Sequence, residues 1–104
     1  MSQPYVGEIR MFAGNFAPAG WVFCDGSLLP ISEYETLFAL IGTTYGGDGQ
    51  STFAVPDLRG RLPIHQGNGF TLAQTGGSQP HDNFQPYLCV SFIVSLFGVF
   101  PSQS

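Results

Sequence analysis

The chain is 104 residues long, 43% apolar and only 10% charged, with a formal net charge of −4. A single domain of this length buries somewhat more than about 60% of the surface its unfolded chain exposes, and high apolar content with little charge is the reverse of a disordered composition. Three arginines (Arg10, Arg59, Arg61) against seven acids, with no lysine, form no basic patch, so nucleic acid and an anionic membrane surface are excluded as partners.

A monomer of this size ordinarily covers about a quarter to a third of its surface with charged groups. The shortage here points to large areas covered by neighbouring subunits, so the chain itself is the first expected partner. Cys24 and Cys89 are too few for a disulfide scaffold or a four-ligand zinc site. One bridge between them stays open, but both lie in apolar runs, where free buried thiols are expected. Met1-Ser2-Gln3-Pro4-Tyr5 has neither the basic nor the apolar region of a secretory signal. The apolar run from Tyr87 to Phe100 is interrupted by Ser91, Ser95 and Gly98 and is too short to span a bilayer, so no membrane insertion is expected.

In chain order, Gly7-Glu8-Ile9-Arg10-Met11-Phe12 alternates polar with apolar and predicts a half-buried strand, closed by Ala13-Gly14-Asn15. Trp21-Val22-Phe23-Cys24 predicts a second strand, stopped by Asp25-Gly26-Ser27, and the two are close enough to pair as an antiparallel hairpin. Ser32-Glu33-Tyr34-Glu35 has the form of a capping box and predicts a helix over about 32–42. Its Tyr34, Leu37, Phe38 and Ile41 share one face, and Gly42 ends it. Residues 43–69 read as a long ordered loop. Within it, Tyr45-Gly46-Gly47-Asp48-Gly49-Gln50 lacks the further oxygens of a calcium loop and the lysine of a phosphate loop, and is a turn with Tyr45 packed inward. After a polar, glycine-rich stretch, alternation and β-branching predict a strand over about 87–97, apolar on both faces, one of which is expected to meet another subunit. The fold class is therefore α+β: a single domain over 1–104, mostly strand and ordered loop, with one short capped helix and a long C-terminal strand.

Four segments in this order are specific together. They are Gly7 to Phe12; Gly20-Trp21-Val22-Phe23-Cys24-Asp25-Gly26; Leu40-Ile41-Gly42-Thr43-Thr44-Tyr45-Gly46-Gly47-Asp48-Gly49; and Phe53-Ala54-Val55-Pro56-Asp57-Leu58-Arg59-Gly60-Arg61. The chain resembles the phage tail collar domain family, whose bacterial and prophage members are often labelled microcystin-dependent proteins. The segment from Gln85 to Ser102 also resembles the C-terminal part of that group. The resemblance implies a non-enzymatic structural part of a tail fibre or extracellular appendage, commonly trimeric, with other tail or fibre proteins as further partners and cell-surface receptors for some fibre tips. Longer relatives carry a histidine-x-histidine pair and a variable insertion after the Arg-Gly-Arg segment. Here Gly67 to Gly77 passes almost directly to Gln79-Pro80-His81, so neither the metal site nor the receptor-selecting module carries over.

Asp57, Arg59, Arg61 and His65 are candidates for a loop-ordering network or an interface clamp, because an arginine fork binds carboxylates and carbonyls with fixed geometry. The concentration of charge there favours the internal network. A nucleophilic arrangement of Cys24, Asp25 and His65 rests on residue types alone, and a buried thiol beside a turn aspartate accounts for the same residues. His65, His81 and Asp82 are possible metal ligands, which threefold symmetry could bring together in three copies, but without the histidine-x-histidine pair of the longer relatives hydrogen-bonded or surface histidines account for them and no metal or cofactor is expected. Trp21, Tyr5, Tyr34 and Tyr87 carry rings that stack on sugars, which keeps a surface glycan among the candidate partners, although packing accounts for them as well. Phe16, Phe70, Phe84, Tyr87, Phe92, Phe97 and Phe100 are the candidate assembly interface.

Overall fold

The computed structural model describes residues 3–69, 71–75 and 86–102. Its elements are β1 (Ile9–Phe12), β2 (Trp21–Phe23), β3 (Leu28–Pro30), α1 (Glu35–Ile41), β4 (Thr52–Ala54) and β5 (Ser91–Ser95). The architecture is α+β and mostly β, as the pattern of runs and turns predicts.

The larger sheet has the order β1-β5-β2, and both flanking strands run antiparallel to β5. The expected hairpin between β1 and β2 is thus not formed. β5 takes the central place because Ile93 and Val94 are apolar on opposite faces and β-branched, whereas β1 carries polar groups suited to an edge. Register sets Ile9 and Val22 on either side of Val94, and Arg10 and Phe23 on either side of Ile93. Ile93, Val94 and Ser95 are all buried by the chain's own neighbours, so no second subunit is needed to cover either face of β5. The strand is also shorter than the predicted 87–97. Residues 86–90 lie beyond the ends of β1 and β2, where no ladder partner reaches them.

β3 and β4 form a separate antiparallel pair, with Leu29 opposite Phe53. Between the two sheets and α1 lies the core of Val6, Cys24, Leu37, Phe53, Val55, Val94 and Leu96. Tyr34, Phe38 and Ile41 pack against it, as the predicted helix face requires, and the Phe38 and Phe53 rings meet at 5.4 Å.

The helix begins three residues later than the predicted 32–42, with Tyr34 at its N-cap and no side-chain cap bond. The capping box fails for a local reason. Glu33 and Tyr34 donate their N–H groups to the carbonyls of Pro30 and Ile31, so residues 31–33 form a turn ahead of the helix and Ser32 does not stand at its N-cap, where it could accept from the Glu35 amide. At the other end Gly42 has φ +56° and donates to the Phe38 carbonyl at 2.8 Å.

The two ends of the described chain close on each other. Val6 donates to the Val99 carbonyl and Val99 to that of Pro4, forming a parallel bridge between Tyr5 and Val99. Gly98, at φ +133°, makes this possible. A Cβ there would stand inside van der Waals contact of the Pro4 carbonyl oxygen. This clip is what delivers Val6 into the core.

Candidate functional site

The segment after β4 is ordered by backbone stitching to the turn after β2. Val55 donates to Ser27, Gly26 to Pro56 and Leu58 to Cys24, with Asp25 and Asp57 bridged between them. These bonds set Asp57 beside the turn and leave Arg59 and Arg61 projecting from a loop of irregular backbone. The Asp57 carboxylate accepts from the Arg59 backbone N–H at 3.1 Å and from its Nε and Nη2, both at 2.9 Å. Arg61 Nη1 donates to the Asp57 carbonyl at 3.0 Å and lies 3.4 Å from its carboxylate. The Arg59 hydrogen bonds hold the Asp57 carboxyl well below the usual carboxylate range, and the same contacts raise the Arg59 guanidinium.

His65 is exposed and makes no hydrogen bond to Asp57, Arg59 or Arg61 among the described residues, so the predicted group of four is brought together as three. Asp48 organises a second turn. Its Oδ1 accepts the N–H groups of Gln50, Ser51 and Thr52, which lowers the carboxyl's pKa and leaves that oxygen occupied by backbone.

The two cysteines differ. Cys24 is buried and Cys89 exposed, and both are free thiols, so the expectation of two buried thiols holds only for Cys24. Burial, with Asp25 adding to it, pushes the Cys24 thiol up to about 12. A nucleophilic thiol needs access and a lowered pKa, and Cys24 has the opposite of both.

Two open grooves border this loop. The first, of about 990 Å³, runs between the 58–62 segment and residues 87–92, floored by Met11, Phe23 and Phe92. The second, of about 710 Å³, is lined by Thr43, Tyr45, Asp57, Ile64, Leu72 and Gln74, among others. Leu58, Arg61 and Leu62 belong to both, so the Arg-Gly-Arg loop is the ridge between them.

Of the aromatic residues singled out for assembly, Phe16, Tyr87, Phe97 and Phe100 are exposed, and Phe92 packs against the core. Phe70 and Phe84, like His81 and Asp82, lie outside the described residues. The aliphatic residues beside them went unremarked in the sequence. Leu62 and Leu88 are 84% and 85% exposed, and their positions in irregular segments carry no periodicity that would mark them as surface. A second feature that pattern reading missed is Arg10, which pairs with Glu8 at 2.6 Å and lies over the Trp21 ring.

No curated protein matches the chain. The family model described as Phage Tail Collar Domain matches residues 7–63, which includes β1 to β4, the helix and the whole Asp57-Leu58-Arg59-Gly60-Arg61 loop. That match spans more than half of the sequence, and the chain belongs to the phage tail collar domain family, a family of structural parts of tail fibres.

Proposed function

We propose that the chain, acting as one unit over residues 1–104, is a non-enzymatic structural protein of a phage-tail-like fibre or extracellular appendage that assembles with copies of itself. Membership of the collar family supports a virion tail location. The observation that carries self-assembly is the exposure of large apolar side chains: Met11, Phe16, Leu62, Tyr87 and Leu88 are each more than 70% exposed on a chain with three cationic side chains. Exposed apolar surface of this kind marks an association site, because its burial stabilises by about 25 cal/mol per Å². The raised Cys24 thiol supports the non-enzymatic reading.

A second reading is a trimeric tip module that binds a receptor glycan. The second groove favours it, since Tyr45, Thr43, Thr44, Gln66 and Gln74 bring a ring, hydroxyls and amides to one concave surface.

Native mass measurement and negative-stain microscopy across a concentration series separate the two. Filaments or an extended assembly establish the structural reading. A discrete trimer that retains a glycan on an array establishes the tip module. A monomer at every concentration overturns both.

A further inference from the structure

We propose that the groove between the 58–62 ridge and residues 87–92 is the surface on which a second copy of this chain seats. The inference deepens the self-assembly reading above and rests on it.

The surface has the area such a contact needs. Met11, Leu62, Tyr87 and Leu88 are 71%, 84%, 81% and 85% exposed, and Ile64 and Leu72 continue the patch across the shared ridge. Together these six residues leave on the order of 800–900 Å² exposed across the two grooves, comparable with the roughly 800 Å² that each partner contributes to a standard interface. The patch is continuous, because Leu58, Arg61 and Leu62 line both grooves.

Charge selects the occupant. The chain carries a formal charge of −4, so two copies repel unless they meet where charge cancels. Asp25, Arg59 and Arg61 line this groove, and Asp57, on the neighbouring groove, pairs with both arginines, so the four formal charges of the ridge sum to zero. Glu33, Glu35 and Asp48 line neither groove, so a basic partner would be drawn to those carboxylates instead. A neutral apolar surface that holds two of the chain's three cations is where an identical, acidic copy approaches at least cost.

Backbone geometry agrees. Among the described residues, 87–90 make no backbone hydrogen bond, although they continue directly into β5. No described residue takes their N–H and C=O groups, which are placed to pair with an added strand.

Cys89 reports on this surface without any engineering. It lines the groove and is exposed, while Cys24 is buried with a thiol pushed up to about 12, so at pH 8 an aromatic disulfide reagent reads Cys89 alone. Labelling is followed across a concentration series alongside sedimentation velocity, for the unmutated chain and for Leu62→Glu, Leu88→Glu and Leu28→Glu. Leu28 is exposed but lines neither groove, and serves as the control.

The expected result is a labelling rate that falls at least tenfold as the chain assembles, a dissociation constant raised at least a hundredfold by either groove substitution, and no change with Leu28→Glu. Assembly that leaves Cys89 reactive, or that withstands both groove substitutions, overturns the proposed surface while the self-assembly reading stands. Should a groove variant fail to fold by circular dichroism, the labelling series on the unmutated chain decides the matter. A chain that stays monomeric throughout, with Cys89 always reactive, overturns the self-assembly reading and this surface with it.

Discussion

The Arg10 guanidinium lies over the Trp21 ring, 5.1 Å from its centroid, although β5 separates their strands. It therefore spans the central strand on the face that carries Ile93 and Ser95, and Glu8 holds it from the other side at 2.6 Å. An edge-strand cation and an edge-strand ring together cover the central strand on that face. The charge stays half in water, so the contact belongs at the exposed end of the cation–π range.

Arg10→Gln is accordingly expected to cost about 1 kcal/mol. Trp21 is the chain's single tryptophan, so its fluorescence reads the loss of the guanidinium directly. The emission should shift to longer wavelength in the folded variant, and a spectrum identical to that of the unmutated chain would show that Arg10 does not rest on the ring in solution.

Gly98→Ala should open the clip between the chain's ends. Its φ of +133° and the close approach to the Pro4 carbonyl both oppose a Cβ, and a destabilisation of about 2 kcal/mol or more is expected in urea unfolding. Gly60 is the comparison, since its φ is +66° but a Cβ there meets open space. Gly60→Ala should cost less than Gly98→Ala, and the reverse order would place the strain elsewhere.

Acid should destabilise the fold. The carboxyls of Asp57, Asp48 and Glu8 are all lowered by hydrogen bonds made in the folded chain, so each contributes stability that is present above about pH 4 and lost as pH falls towards the folded value. The midpoint of thermal unfolding should therefore drop steadily from about pH 5 towards pH 2. Asp57→Asn should flatten part of that slope at low salt, and an unchanged slope would mean that the Arg59 contacts do not hold Asp57 ionised.

Base should act through Cys24. Its folded pKa of about 12 lies above the unfolded value, so its contribution is complete below about pH 8.5 and declines as pH rises towards 12, at about 1.4 kcal/mol per pH unit. Chemical denaturation at pH 8, 9 and 10 should show this decline in the unmutated chain and a shallower one in Cys24→Ala. Parallel slopes would place the thiol in a wetter environment than its burial indicates.

Local chemistry was legible wherever a few neighbouring residues decide it. The alternation from Gly7 to Phe12, the apolar run at Trp21, the helix face of Leu37, Phe38 and Ile41, and the turn signals at Gly42 and Asp48 all correspond to what the chain does. The Asp57, Arg59 and Arg61 group was also visible, because its three members lie within five residues and meet through a single turn of chain. Other features were not. The ladder that separates β1 from β2 joins residues about eighty positions apart, the Arg10 contact with Trp21 exists only because that ladder forms, and the turn bonds of Glu33 and Tyr34 start the helix after Ser32 instead of at it.

What the sequence alone determined, then, is the α+β character, the membership that its four ordered segments carry, and the turns and apolar faces that depend on neighbours a few residues away. Tertiary structure decided which strands pair, which cysteine is buried, and that Leu62 and Leu88 border one groove beside a balanced set of charges. The reason is physical. Periodicity and turn propensity act along the chain, whereas pairing and exposure are settled by which distant segment can supply the matching hydrogen bonds and apolar surface, and that competition has no local signature.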